Sequence, residues 1–365
     1  MKRLVLTVAL SSVAFEPAAQ QRVIRGPGSD PDLTRDWPKV VAPATSDADV
    51  PARLAAYLES LASRDLFSGT VLLARDADPV FQHSYGMADR ERKLANTEGT
   101  TYNVGSITKV FTRLALFQLR DAGKLDFDAP LRTYLPDYPS KAADKITVRH
   151  LIDHRSGLGD FFGPDFEFAR GRLKDLADYL PLFASKPLEF EPGAAQRYSN
   201  AGYLVLGLVI ERVTGRSYYD YVRDEVFVPA GLEASGWPIE RLPSIALGYT
   251  RGPGGGGERR SNSALMPVRG SSAGGSYATA MDLLRFVRAL PKLLPRRESY
   301  REFLRLPPDV PPDAPLAISW GGGAPGVNAA VTADGGWTWV VLSNFDPPAS
   351  SEVSANVTKL LGLAR

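Results

Sequence analysis

Cysteine is absent from this chain of 365 residues, and histidine occurs only three times. The absence of cysteine excludes disulfide bonds, thiolate catalysis and cysteine-ligated zinc. The histidines, His83, His150 and His154, are too few and too scattered to indicate a metal site. The sequence therefore predicts neither a metal nor a cofactor.

Long runs of charge of one sign are also missing. The chain has 43 basic and 41 acidic residues and a net charge of +2. Without a basic patch, neither a nucleic acid nor an anionic membrane is expected as a partner. The 44% hydrophobic content is enough for one large or two smaller domains. Nothing in the sequence sets the oligomeric state.

The N-terminus resembles an export signal. Lys2-Arg3 precede an apolar run from Leu4 to Phe15, and Pro17-Ala18-Ala19 follow it. The run is too short to span a bilayer as a mature anchor. Residues 1–20 are predicted to be a signal peptide that leads to a periplasmic or secreted protein, and without that signal the protein would be cytoplasmic. Residues 21–50, rich in proline, aspartate and arginine, predict a linker.

Hydrophobic patterning divides the rest of the chain into a sheet-like beginning, a helical middle and a sheet-like end. The predicted strands are 69–74, 80–85, 316–320, 327–332 and 337–343, and the predicted helices are 52–62, the segment from Ser106 to Gly123, 147–154, 172–185, 201–213, 217–227, 279–290 and 353–361. The expected fold class is α/β plus all-α: a five-stranded antiparallel sheet flanked by N- and C-terminal helices, with an inserted helical lobe. Residues 51–103 and 264–365 would form the α/β lobe and residues 104–263 the helical lobe, with the active site between them.

Ser106 and Lys109 stand three residues apart at the start of a predicted helix. On a helix this spacing places both side chains on one face, with Cβ atoms about 5–6 Å apart. A lysine amine made neutral by its surroundings could accept the serine hydroxyl proton, so the pair is a candidate nucleophile and base. Taken alone, the pattern favours a capping serine followed by a solvated lysine.

A second motif places Tyr198 and Asn200 two residues apart at the start of another predicted helix. The tyrosine oxygen could relay protons, and the asparagine amide could hold a substrate carbonyl. In isolation, an asparagine N-cap beneath a core tyrosine is the simpler interpretation.

The third motif, Trp320-Gly321-Gly322-Gly323, ends a predicted strand. Glycines would let an acyl group lie against the strand edge, where a backbone N–H can donate to an oxyanion. Taken alone, the motif predicts a glycine-rich hairpin turn.

Together, and in this order, the three motifs resemble those of the serine β-lactamase and penicillin-binding-protein superfamily, in the branch that contains class C β-lactamases, D-alanyl-D-alanine peptidases and family-eight carboxylesterases. Further phrases that match the family are Phe67-Ser68-Gly69-Thr70-Val71, Leu151-Ile152-Asp153-His154-Arg155-Ser156-Gly157-Leu158, Gly274-Gly275-Ser276-Tyr277 with Asp282-Leu283, and Val341-Leu342-Ser343-Asn344. The resemblance covers nearly the whole chain after the N-terminal segment, and it implies a β-lactamase/transpeptidase-like fold and a serine hydrolase.

The resemblance implies a role for each motif residue. Ser106 would attack a carbonyl to form an acyl-enzyme. Lys109 and Tyr198 would share the general-base work, and Tyr198 would also protonate the leaving group and activate the deacylating water. Asn200 would bind the acyl side of the substrate, and the backbone N–H groups of Ser106 and Gly323 would form the oxyanion hole. Which of the lysine and the tyrosine is deprotonated is not decided by the sequence.

One departure from the family pattern bears on the substrate. Where β-lactamases and peptidases of the family usually place lysine or histidine at the head of the third motif, this chain has Trp320. An indole carries no charge to meet a substrate carboxylate. Trp-Gly-Gly is similar to what some esterases of the family carry, so a short- to medium-chain ester is the expected substrate. A cation from Arg113 or Arg269 would keep hydrolysis of β-lactams or D-amino-acid peptides open.

Two other interpretations apply to parts of the sequence. Gly270-Ser271-Ser272-Ala273-Gly274 matches the nucleophile elbow of α/β-hydrolases, but that chemistry requires a later histidine and none follows His154. Ser272 is therefore expected in a loop near the cleft, and His154 is expected to stabilise a loop. A catalytically idle binding or scaffold protein of the same fold is the alternative to an enzyme.

Overall fold

The computed structural model describes residues 34–363 except residues 35, 41, 77, 239–241, 243, 253–256, 308 and 312–315. The predicted signal peptide, residues 1–20, and the first part of the predicted linker lie outside the described residues. In the described part of the linker, Trp37 is buried in the core beside the sheet, and the backbone N–H of Val40 donates to Asn356 Oδ1 at 2.8 Å. This end of the linker packs on the folded protein.

Five long helices, α1, α2, α6, α9 and α11 in the numbering below, and five long strands organise the described residues. The helices are α1 Val50–Ala62, α2 Thr108–Asp121, α3 Leu131–Tyr134, α4 Val148–Ile152, α5 Pro164–Ala169, α6 Asn200–Thr214, α7 Tyr218–Val222, α8 Val228–Ala230, α9 Ala280–Leu293, α10 Arg297–Leu304 and α11 Ala349–Leu360. The strands are β1 Gly69–Arg75, β2 Asp78–Tyr85, β3 Met87–Asp89, β4 Leu94–Ala95, β5 Tyr102–Asn103, β6 Tyr249–Thr250, β7 Arg260–Ser261, β8 Tyr277–Ala278, β9 Ile318–Ala324, β10 Val327–Asp334 and β11 Trp337–Ser343.

The five long strands form one sheet with the order β2-β1-β11-β10-β9. Every neighbouring pair is antiparallel, and β1 joins the two ends of the chain by pairing with β11, with Val71 opposite Val341. The predicted fold class, a five-stranded antiparallel sheet with additional helices, is confirmed. The division into an α/β lobe and a helical lobe at the predicted boundaries stays a prediction.

Both faces of this sheet are covered. Val71 and Leu73 of β1 point into one core with α1 and α11, whereas Leu72 and Ala74 point into the larger core with α2, α6 and α9. Successive side chains of a strand face opposite sides, so a strand buried on both faces reads as a continuous apolar run. This explains why β1 and β11 carry unbroken apolar runs, residues 71–74 and 339–342, without alternation.

Two predicted helices differ in the structure. The helix predicted at 147–154 ends at Ile152, and His154 has a φ of 57°, which an α-helix cannot continue through. The helix predicted at 172–185 is a 3₁₀-helix, Leu176–Leu182, that contains Pro181. Proline lacks the N–H that a longer α-helix requires.

The third motif lies within a strand, contrary to the prediction that it ends one. β9 continues through the glycines, and Gly322 pairs with Ala329 of β10. A Cβ on Gly322 would lie 2.0 Å from the carbonyl oxygen of Val104 and 2.8 Å from the backbone nitrogen of Ser106. Because β9 is an edge strand, its free side meets the turn that carries Ser106. The glycine marks a close approach of two backbones, not a hairpin turn.

Candidate active site

Ser106 lies in a single 3₁₀ turn, Gly105–Ile107, that leads directly into α2. Gly105 has a φ of +54°, and a Cβ on it would lie 2.8 Å from the backbone nitrogen of Gly323. The hydroxyl of Thr108 donates to the Gly105 carbonyl at 2.8 Å. This turn holds the serine against the edge of β9. No side-chain cap closes the start of α2, so Ser106 is not a capping serine.

Lys109 is buried beneath Ser106, with only 1% of its surface exposed. Its Nζ lies 3.4 Å from Ser106 Oγ, donates to Asn200 Oδ1 at 2.7 Å, and donates to the carbonyl oxygen of Ala273. The solvated lysine that the isolated pattern favoured is therefore wrong.

Burial controls the charge of Lys109. Removal from water lowers the pKa of its ammonium group to about 7, although the Asp160 carboxylate acts in the opposite direction. The side chain also lies over the ring faces of Tyr198 and Tyr203, with Nζ 4.9 Å and 5.5 Å from the ring centroids. A substantial fraction of neutral amine is therefore present near neutral pH.

Tyr198 meets Ser106 from the other side. Its hydroxyl donates to Ser106 Oγ at 2.7 Å. Burial raises the pKa of the Tyr198 phenol, and the hydrogen bond to Ser106 offsets this only in part. The phenol is therefore protonated in the free protein at neutral pH.

His154 supports Tyr198 from behind. The two rings stack with centroids 4.6 Å apart, and His154 Nδ1 accepts from the backbone N–H of Ser199 at 3.2 Å. Burial, followed by the charge of Lys109, lowers the pKa of His154 to about 3, which keeps the imidazole neutral. These contacts are those of the loop-stabilising residue that the sequence predicted.

Asn200 begins α6, but Ser199 caps it. Ser199 Oγ accepts from the backbone N–H of Gly202 at 3.0 Å and donates to the Gly159 carbonyl at 2.8 Å. The interpretation of Asn200 as an N-cap is therefore wrong. Its carboxamide instead accepts from Lys109 and donates through Nδ2 to Asp160 Oδ2 at 2.7 Å.

The third motif contributes mainly backbone to the site. Gly322 and Gly323 lie beside the Ser106 turn, as the contacts of a Cβ at Gly322 and at Gly105 demonstrate. Gly321 is the least crowded, since a Cβ on it would meet only the Ala329 carbonyl at 3.9 Å. Trp320 is partly buried and packs on Phe286 of α9, with ring centroids 5.9 Å apart.

Arg113 and Arg269, the two arginines that could replace the missing cation, both pack against aromatic rings. The Arg113 guanidinium lies over the rings of Phe117 and Phe303 and donates to the Glu302 carbonyl at 3.0 Å. The Arg269 guanidinium lies 3.3 Å from the centroid of the Tyr219 ring.

Sequence reasoning missed two participants. Asp160 holds Asn200, and it stands two residues after the family-like phrase that ends at Leu158. Ala273 accepts from Lys109, and it belongs to the segment that was set aside as a false nucleophile elbow. Ser272 is fully buried in that loop, and its Oγ has no hydrogen-bond partner.

The described part of the chain holds neither a membrane-spanning helix nor a cluster of metal ligands. Within it, no helix is both long and apolar enough to cross a membrane. The same residues contain no group of three or more histidine, cysteine, aspartate or glutamate side chains that could hold a metal ion.

Comparisons with known proteins identify relatives of this chain. Penicillin-binding protein 4* of Bacillus subtilis is 32% identical over 206 residues, which are 54% of this chain and 45% of that protein. Esterase EstB of Burkholderia gladioli is 32% identical over 220 residues, 56% of each chain. The chain thus spans about half the length of these curated relatives.

A solved structure supports the same relationship. The crystal structure of a penicillin-binding protein from Bacillus halodurans matches with a TM-score of 0.72 and 32% identity over 83% of this chain and 98% of that one. The sequence profile of the Beta-lactamase family matches residues 54–364. The resemblance inferred from the three motifs is confirmed, and the chain belongs to the Beta-lactamase family.

Proposed function

We propose that the protein is a serine hydrolase that forms an acyl-enzyme on Ser106 and acts on short- to medium-chain carboxylic esters. The observation that carries the proposal is the position of Ser106 Oγ, 3.4 Å from the Lys109 amine and 2.7 Å from the Tyr198 hydroxyl. Nucleophilic acyl transfer requires a nucleophile within reach of a general base, and the buried amine and the phenol are both candidates for that base. The chemistry uses side chains and backbone alone and needs no cofactor.

Lys109 is the proposed general base. A neutral amine has two N–H donors and one lone pair. The two N–H groups donate to the side-chain Oδ1 of Asn200 and to the backbone carbonyl of Ala273, so the lone pair is left for Ser106. The lowered pKa of Lys109 makes this neutral form available, whereas the raised pKa of Tyr198 keeps its proton on the phenol.

Tyr198 is the proposed proton donor to the leaving group. As Ser106 Oγ bonds to the ester carbonyl carbon, its proton passes to Lys109. The phenol then protonates the departing alkoxide while the carbon–oxygen bond breaks, and Lys109 returns a proton to the phenolate. Deacylation follows the same steps in reverse with water in place of the alcohol, and it regenerates the Ser106 hydroxyl.

The backbone N–H groups of Ser106 and Gly323 are the proposed oxyanion hole. The close approach of β9 to the Ser106 turn supports this assignment, because a Cβ at Gly105 would lie 2.8 Å from Gly323 N. Preorganised donors of this kind each stabilise the transition state by about 2.7–4 kcal/mol.

Two observations support an ester as the substrate. Trp320 supplies no cation at the head of the third motif, and Arg113 and Arg269 are both engaged with aromatic rings. A substrate carboxylate would therefore lose its water without a cationic partner from any of these three residues, a cost that a neutral ester avoids. Esterase EstB is among the relatives.

Hydrolysis of β-lactams or D-amino-acid peptides is the second candidate, because two of the compared relatives are penicillin-binding proteins. Rates with p-nitrophenyl esters, a chromogenic cephalosporin and a D-amino-acid peptide separate the two. We expect the ester to have the highest kcat/KM, and a higher value for the cephalosporin or the peptide would replace the esterase proposal.

Labelling with a serine-reactive phosphonate tests the proposal itself and the alternative of an idle scaffold. The wild-type protein should be labelled at Ser106, and Ser106→Ala should be neither labelled nor active, with kcat lowered on the order of 10⁶-fold. Ser272→Ala is the matched control, because this buried hydroxyl has no hydrogen-bond partner to lose. Wild-type protein that neither reacts nor hydrolyses esters, β-lactams or peptides would favour the idle scaffold.

A further inference from the structure

The Asp160 carboxylate is linked to the proposed nucleophile, Ser106, by three successive contacts. Its Oδ1 accepts from the backbone N–H of Phe161 at 2.7 Å, and its Oδ2 accepts from Asn200 Nδ2 at 2.7 Å. Asn200 as a residue is 4% exposed, and its carboxamide reaches Lys109 on the side opposite Asp160. Asp160, Asn200 and Lys109 therefore form a chain of hydrogen bonds that ends below Ser106.

An isolated carboxamide can adopt two orientations that exchange its oxygen and nitrogen with almost no change of shape. An ionised carboxylate can only accept hydrogen bonds. Asp160 therefore requires the NH₂ group of Asn200 on its own side, and this places Oδ1 of Asn200 against Lys109.

The orientation of Asn200 decides what the Lys109 amine can do. When Oδ1 of Asn200 faces it, the neutral amine donates one N–H to that oxygen and the other to the Ala273 carbonyl, and its lone pair is directed to Ser106. With the carboxamide reversed, the NH₂ of Asn200 would donate to that lone pair, and the base would no longer be available to the serine.

We propose that Asp160 is a positioning residue that fixes the Asn200 carboxamide and thereby keeps the Lys109 lone pair on Ser106; this inference rests on the proposed function. Asp160 acts through Asn200 and needs no contact with the substrate. Its negative charge has a second consequence, because it opposes the effect of burial on the Lys109 pKa. The other groups that face Lys109 are Tyr198, Tyr203 and, at longer range, the neutral His154.

Asp160→Asn is the decisive variant. It keeps the size of the side chain but replaces a group that can only accept hydrogen bonds with one that can also donate them. We expect kcat for a p-nitrophenyl ester to fall at least about tenfold, with KM within about twofold, because a charge-assisted hydrogen bond is lost. The acidic limb of the kcat/KM profile should move to lower pH, because the charge that raises the Lys109 pKa is gone. Asp160→Glu, which still only accepts, should retain more kcat than Asp160→Asn.

The same substitution in an Asn200→Ala background tests whether Asp160 acts through Asn200. There Asp160→Asn should cost less than about twofold in kcat, since no carboxamide remains to be oriented. Equal losses in both backgrounds, or an unmoved acidic limb, would overturn the proposal. Thermal unfolding of each variant identifies a simple loss of folding. Loss of activity in Ser106→Ala tests the proposed function separately, so the two can fail independently.

Discussion

The two sides of the site surround Ser106 with different kinds of chemistry. On the helical side, polar side chains bond to one another or to Ser106: Lys109 of α2, Asn200 of α6, Tyr198 just before α6, and Asp160 between α4 and α5. On the sheet side, β9 contributes glycine backbone and one indole that packs on Phe286. The helical side holds the groups proposed to transfer protons, whereas the third motif on the sheet side offers backbone and indole N–H groups and shapes the space.

We therefore expect the helical side to control proton transfer and the sheet side to control substrate choice. Proton transfer depends on pKa values, which the buried helical network shifts through desolvation. Substrate choice depends on which groups the sheet side offers, because a single cation or its absence changes the binding of a carboxylate. Variants on the helical side should therefore lower activity towards all substrates alike, and variants at Trp320 should change the ranking of substrates.

The largest effect is expected from the helical side. Lys109→Ala and Tyr198→Phe should each lower kcat by about 10³-fold or more, because each removes a group from the proton path. The double variant should be scarcely worse than either single variant, since groups that act as a unit are strongly non-additive. Measured kcat values for the three proteins decide this, and losses that simply add in log kcat would show that the two residues work independently.

Gly322→Ala should give the next largest effect, from the sheet side. The added Cβ would lie 2.0 Å from the Val104 carbonyl, which forces β9 away from the Ser106 turn. We expect a loss of about 10²–10³-fold in kcat, the amount typical of a lost oxyanion donor. Gly321→Ala is the matched control, because its Cβ would be in ordinary contact only. Similar kcat values for both variants would show that this close approach does not matter.

The sequence predicted the sheet and the Ser106–Lys109 pair, because apolar periodicity and helical spacing are local properties. That Tyr198 and Asn200 join this pair was implied only by the resemblance of the three motifs to the family. The sequence did not predict Asp160 or the Ala273 carbonyl as partners of the site. Both contacts join segments far apart in the chain. In addition, every residue type has a backbone carbonyl, so the sequence cannot indicate which carbonyl binds Lys109. The glycines of β9 were predicted as a strand end because sequence cannot distinguish a turn from a close backbone approach.

Trp320→Lys should change the preference of the enzyme between a cephalosporin and a neutral ester. A lysine there supplies the missing cation, and a well-placed charged contact contributes about 1.5–3 kcal/mol. The ratio of kcat/KM for a cephalosporin to that for a neutral ester should therefore rise about tenfold or more, even though the loss of packing on Phe286 lowers total activity. An unchanged ratio would mean that this position does not select the substrate.

The pH dependence of kcat/KM should come from the helical side alone. Lys109 must be neutral to accept the Ser106 proton, and burial lowers its pKa to about 7. Activity should therefore rise with pH up to about 7 and fall about tenfold for each unit below it. Gly321→Ala, on the sheet side, should leave this acidic limb in place. His154 has a pKa of about 3 and the Tyr198 pKa is raised, so neither titrates between pH 5 and 8 and a limb in that range is assigned to Lys109. A profile that is flat from pH 5 to 8 would mean that Lys109 is not the titrating base.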